Sequence, residues 1–272
     1  MLKKILNKFL KKSDKGQEVQ VEPEKILYQS SNRLKGKNAI IIGGGKGIGK
    51  AIATRFAEEG AKIIINSRSK TDLENVKKEI QNNMGECSCF VGDITDLKTI
   101  QNLFLESKSK LGKLDILINC AGTVDFGSIE SFPLNKFEKI MDLNVKSVFS
   151  CIQEAIKMMK SDGDEGKIIT IGSIASKWTG RGGDGSYSAS KYAVYGMIES
   201  IARQLHGSGS NIAVGLICPG VVDTTLTNPD KDQKPNWMRP TTIADSVLHM
   251  VTAPKNVNIF DLTIFGMDEK PW

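Results

Sequence analysis

The sequence is poor in the residues that hold metals. Its two histidines, His206 and His249, lie far from Cys87-Ser88-Cys89, so no group has the ligand spacing of a zinc site. The five cysteines, Cys87, Cys89, Cys120, Cys151 and Cys218, are odd in number and sit mostly in apolar runs, which suits reduced thiols in a cytoplasmic protein. The amino terminus lacks both the ~20 apolar residues of a membrane span and the unbroken apolar core of a signal peptide. Nothing here predicts secretion. The net charge is +6, and residues 1–37 account for it with ten Lys/Arg against four Asp/Glu. Residues 38–272 are therefore close to neutral, which argues against a nucleic-acid-binding groove.

What is present fits one large α/β domain: 272 residues, 40% hydrophobic and 25% charged. Residues 1–12 place Leu2, Ile5, Leu6, Phe9 and Leu10 at helical spacing, with Lys3, Lys4, Lys8, Lys11 and Lys12 around the other side. This basic amphipathic segment has four readings: contact with an anionic membrane surface, an arm packed on a neighbouring subunit, a disordered tail, or an import peptide. The absence of Arg before residue 13 weighs against the last. Residues 13–37 read as a polar linker, and the domain is expected over 38–272.

From residue 38 strands and helices alternate. Strands are predicted over 39–42, 62–66, 87–91, 116–119, 167–171, 212–218 and 258–265, and helices over 50–59, 71–82, 97–110, 135–160, 187–206 and 243–251. That order predicts a doubly wound α/β fold, a parallel sheet of about seven strands with crossover helices on both faces.

Between the first strand and its helix stands Gly43-x-x-x-Gly47-Ile48-Gly49. Glycines there permit a tight turn and the approach of a pyrophosphate to the backbone, at a helix end whose free N–H groups favour anions. An acid at the end of the second strand would select NAD through the ribose 2′-hydroxyl. The chain has Asn66-Ser67-Arg68-Ser69 instead, with Lys46 inside the glycine turn. Two cations and two hydroxyls favour the 2′-phosphate of NADP(H), unless Lys46 and Arg68 are only solvated loop charges.

A second pattern runs from Gly172 to Lys191: Ser173, a glycine-rich loop, then Tyr187-x-x-x-Lys191. The i, i+4 spacing puts phenol and ammonium on one helix face, where the positive charge favours the phenolate and so assists proton exchange. Such a pair arises by chance roughly half a time in a chain of this composition, so its weight comes from its company.

That company resembles the short-chain dehydrogenase/reductase family over about residues 34–266. The resemblance rests on the glycine turn, Asp93, Asn119-Cys120-Ala121-Gly122, Asn144 in L-N-V-K-S, Ser173, Tyr187-x-x-x-Lys191, and Pro219-Gly220 with Thr224, all in the family's order. It implies a Rossmann-type fold and hydride exchange between NADP(H) and a small-molecule carbonyl or alcohol, in a homodimer or homotetramer. It further implies Tyr187 as general acid/base and Ser173 as the residue orienting substrate. Lys191 would hold the nicotinamide ribose, and Asn144 a water linking Lys191 to solvent. Asp93 and Ile94 are expected against adenine, Asn119, Ala121 and Gly122 beside the cofactor, and Pro219, Gly220, Val222 and Thr224 towards carboxamide and phosphates.

Two positions depart from the pattern: Ile42 replaces a threonine that braces the glycine loop, and Cys120 an asparagine. The ending P-K-N-V-N-I-F-D-L looks more like reductases of small carbonyls and hydroxy acids than like 3-oxoacyl-carrier-protein reductases, the enzymatic alternative. A non-enzymatic cofactor sensor or scaffold is the alternative of another class. Trp178, Arg181, Trp237 and Met238 either line a substrate pocket or serve as loop and lid residues.

Overall fold

The computed structural model describes residues 32–179, 183–228 and 236–269. The readings made for residues 1–12, for most of the linker and for Arg181 lie outside the described residues.

Seven strands form a single sheet in the order β3-β2-β1-β4-β5-β6-β7. They are β1 (Asn38–Ile42), β2 (Lys62–Ser67), β3 (Glu86–Val91), β4 (Ile116–Asn119), β5 (Glu165–Ile171), β6 (Asn211–Pro219) and β7 (Asp261–Ile264). Every neighbouring pair is parallel. The helices are α1 (Gly47–Glu58), α2 (Lys70–Asn82), α3 (Leu97–Leu111), α4 (Leu134–Met141), α5 (Ser147–Ser161), α6 (Gly185–Gly207) and α7 (Pro240–Val251).

β1 explains why the sheet is covered twice. Its run of apolar residues cannot leave either face wet, because successive side chains point to opposite sides. Ala39 and Ile41 enter one cluster with Ile52 and Phe56 of α1 and Val247 and Leu248 of α7. Ile40 and Ile42 enter another with Leu103 and Phe104 of α3, Cys151 and Ile152 of α5, and Ile198 of α6. Each such isoleucine contributes about 1.5–3 kcal/mol by leaving water. Strand order reverses direction between β1 and β4, and the carboxyl ends of these two strands frame the cleft described below.

Beyond shifted ends, such as a first helix that begins at Gly47 and a last strand confined to Asp261–Ile264, the structure differs from the pattern reading in three places. The helix predicted over 135–160 is interrupted: α4 and α5 are joined by a π turn, Asp142–Lys146, in which the Ser147 N–H donates to the Asp142 carbonyl. Helix α6 begins at Gly185, so Tyr187 lies in its first turn. Residues just before Asn38 pack on the fold: Leu34 is 2% exposed, its N–H donates to Glu59 O at 2.9 Å, and Arg33 pairs with the Glu59 carboxylate at 2.7 Å. Among the described residues, no helix is long and apolar enough to cross a membrane.

Candidate active site

The glycine turn is shaped by backbone. Gly43 has φ +79°, and a Cβ there would lie 2.7 Å from the Ala121 nitrogen, so the turn after β1 and the turn after β4 touch main chain to main chain. A Cβ at Gly49 would lie 2.1 Å from the Gly43 carbonyl oxygen, so any side chain would force the loop off the helix. The N–H groups of Gly43 and Gly44 both donate to Asn66 O at 2.9 Å, and Cys120 N–H donates to Ile42 O at 3.0 Å. Main chain therefore braces the loop, and Ile42, 1% exposed, is spent on the core where a threonine hydroxyl had been the expected brace. α1 starts without a side-chain cap or an acid in its first turn, leaving its first amides for an anion.

Beyond the turn lies the charged end. Lys46 Nζ is 3.0 Å from Asp72 Oδ2, and Arg68 is 3.9 Å from Asp93 with 76% of its side chain exposed. Ser69 caps α2 by accepting from the Asp72 N–H at 3.3 Å. Hydrogen bonding with Ser69, ahead of Lys46, holds the Asp72 carboxyl below its usual range against the opposing effect of burial. Asp93 accepts from the Thr95 amide and hydroxyl at 3.0 and 2.9 Å, which fixes the turn after β3.

At the other end stand Tyr187 and Lys191, one turn apart on α6. Lys191 is 7% exposed; its Nζ lies 5.6 Å from the Tyr187 ring centroid and donates to Ile171 O at 3.1 Å. The π turn aims Asn144 inward: its Oδ1 accepts from Thr123 N–H at 2.9 Å, and its Nδ2 donates to Thr123 O at 2.9 Å and to Ser190 Oγ at 3.0 Å. The Ser190 hydroxyl donates in turn to Tyr187 O at 2.7 Å. Ser173 Oγ accepts from Ala175 N–H at 3.1 Å, which orients the serine at the end of β5. Burial pushes the neighbouring Cys120 thiol up to about 12 despite Lys191, so it stays protonated.

These groups line one cleft of about 580 Å³. Of the residues singled out from sequence, Gly43, Lys46, Gly47, Ile48, Ser67, Arg68, Ser69, Asp93 and Ile94 line it. Ala121, Gly122, Ser173, Tyr187, Lys191, Pro219, Gly220, Val222 and Thr224 line it as well. Gly49, Asn119 and Asn144 stand behind the lining; Asn119 is buried and donates to Thr170 Oγ1 at 3.3 Å. Trp178, Trp237 and Met238 are not among the lining residues, and Met238 bridges to Val222 and packs on the core. Sequence reading missed Asp72, Thr123, Leu143 and Leu226. Asp72 carries no strand-end signal because it sits on a helix; Thr123 follows the Gly122 already singled out.

An open groove running from a glycine turn that excludes side chains to a Tyr–Lys pair fits an extended dinucleotide better than a compact ligand. The family description "short chain dehydrogenase" matches residues 37–235. A Staphylococcus aureus (strain USA300) protein called an uncharacterized oxidoreductase is 32% identical over 234 residues, covering 85% of this chain and 97% of that protein. A dehydrogenase/reductase from Sinorhizobium meliloti 1021 superposes with a TM-score of 0.78 at 31% identity, over 87% of this chain and 96% of the other. A short chain dehydrogenase from Burkholderia cenocepacia J2315, crystallised in complex with NADP, gives 0.77 at 28% identity, over 86% and 98%. The chain belongs to the short-chain dehydrogenase/reductase family, oxidoreductases that bind a nicotinamide cofactor.

Proposed function

We propose that the protein is an NADP(H)-dependent oxidoreductase that interconverts a carbonyl and a secondary alcohol, with Tyr187 as the proton donor and acceptor. The observation that carries this reading is the convergence of Tyr187, Lys191 and Ser173 on one end of the cleft, with Asn144 directly behind them. When bound, the cofactor supplies or takes up the hydride. The chain supplies alignment and the proton.

In the reductive direction the Tyr187 hydroxyl gives its proton to the substrate oxygen, and the Ser173 hydroxyl donates a hydrogen bond to the same oxygen. The Lys191 ammonium, 5.6 Å from the ring centroid, stabilises the phenolate left behind. Asn144 locks Thr123 to Ser190, so the loop after β4 and helix α6 move as one body and the tyrosine keeps its aim. In the oxidative direction the same groups take the proton from the alcohol.

The preference for NADP(H) over NAD(H) is supported by Lys46 and Arg68 beside Ser67 and Ser69, and by the lack of a carboxylate at the end of β2. The NADP found in the Burkholderia neighbour is in keeping with it. Asp72 and Asp93 face the two cations, so a 2′-phosphate would have to compete with carboxylates for both.

The test is a panel of ketones, aldehydes and secondary alcohols, followed at the nicotinamide absorbance with each cofactor. Turnover with NADP(H) in preference to NAD(H) is the expected result. A protein that binds the cofactor and turns over none of the panel would contradict the catalytic reading.

A further inference from the structure

Glu269, downstream of β7, reaches back to the wall of the cleft. Its Oε1 accepts from the Val221 N–H at 2.7 Å and its Oε2 from the Gly266 N–H at 2.7 Å, while its own N–H donates to Gly266 O at 3.0 Å. One carboxylate thus ties the segment leaving β6 to the segment leaving β7. The fit is close: a Cβ at Gly220 would fall 2.3 Å from Oε2, so the glycine there is what admits the carboxylate.

The segment it holds is working surface. Gly220 and Val222, on either side of Val221, both line the cleft. Gly172 N–H donates to Ile217 O at 2.7 Å, which puts the end of β6 beside Ser173. Further along, Thr224 leans on the glycine turn, within 3.3 Å of where a Cβ at Gly47 would stand. A shift of the Val221 peptide would therefore be felt along the whole wall.

We propose that Glu269 is a positioning residue, a two-pronged acceptor that holds the wall after β6 in the shape that receives the nicotinamide half of the cofactor. The proposal rests on the cofactor reading above. Two acceptor oxygens are required, because Val221 and Gly266 each present an N–H. A glutamine of the same shape offers one carbonyl oxygen and turns an amide N–H towards the second donor.

Glu269→Gln and Glu269→Ala in the full chain test this, with dissociation constants for NADPH and NADH measured by fluorescence and thermal unfolding measured without cofactor. Both substitutions are expected to weaken both cofactors by about tenfold, the scale of losing hydrogen bonds to a charged group. The NADPH-to-NADH ratio should not change, because Glu269 holds the Val221 and Gly266 amides rather than Lys46 or Arg68. For Glu269→Gln the thermal transition should stay cooperative, with the unfolding temperature lowered by only about 2–4 °C, the scale of one lost hydrogen bond in a chain of this size. Wild-type affinity in Glu269→Gln overturns the proposal alone, since packing without hydrogen bonding would then suffice. Lost affinity accompanied by loss of the cooperative thermal transition assigns a merely structural role and overturns it as well. A wild-type protein that binds neither nucleotide overturns both this proposal and the cofactor reading.

Discussion

The two ends of the cleft are made of different material. At the glycine turn the surface is main chain: Gly43 against Ala121, two amides on the Asn66 carbonyl, and an uncapped first turn of α1. Most of it comes from one β–α–β unit, close in sequence. At the tyrosine end the working groups are side chains drawn from distant places, Ser173 after β5 and Tyr187 with Lys191 on α6, while Asn144 of the π turn stands behind them and holds the Thr123 main chain. A ligand's phosphates need only N–H groups and room, which backbone supplies. Proton transfer needs particular atoms at particular distances, and only packed side chains supply those.

If the ends are separable in this way, substitutions should split binding from chemistry. The largest effect is expected from Tyr187→Phe, which deletes the proposed proton donor and leaves the glycine turn intact. Turnover should fall by ~10²–10⁴ while NADPH affinity stays near wild type. Full turnover on a genuine substrate would refute the mechanism, and an equal loss of affinity would dissolve the contrast between the ends.

Gly43→Ala probes the opposite end. Its φ of +79° and the 2.7 Å approach to Ala121 N leave no room for a methyl group. Strain of order 1–3 kcal/mol should appear as weaker binding of both cofactors in titrations, with turnover at saturating cofactor little changed. Wild-type affinity in this variant would mean that the turn does not shape the cofactor site.

Asn144→Ala removes partners from the Thr123 amide and carbonyl and from Ser190 at once. A loss of about 1–3 kcal/mol in urea unfolding is the scale for stranded buried polar groups. The catalytic rate should drop by more than cofactor affinity does. The reverse ranking would place Asn144 with the binding end.

Arg68→Asp should give the smallest change, because the side chain is 76% exposed and its field is screened by water. A shift in NADPH-over-NADH preference corresponding to about 1 kcal/mol is expected from paired dissociation constants. Equal affinity of the unaltered protein for the two cofactors would sink the preference itself.

Much of this was readable in the chain. The apolar run of β1 announces a strand covered on both faces, and the glycines after it announce a turn that a side chain would block; both signals are local. Other features carry no such mark. The stretch Asp142–Lys146 contains neither proline nor glycine, so its pattern is that of an ordinary helix. The wider turn is accompanied by ties from Asn144 to Thr123 and Ser190, 21 and 46 positions away. Asp72 looks like a first-turn helix acid until Lys46 is found 3.0 Å from it. Glu269 looks like a solvated tail charge until the Val221 amide, 48 positions back, is found on it.

The sequence by itself determined the alternation of strands and helices, the two-sided core and the place of the glycine turn, because periodicity and backbone freedom act between near neighbours. Tertiary structure alone decided where Asn144, Asp72 and Glu269 aim. Their partners become neighbours only when the strands take the order β3-β2-β1-β4-β5-β6-β7 and bring the carboxyl ends of β1, β4, β5 and β6 to one rim.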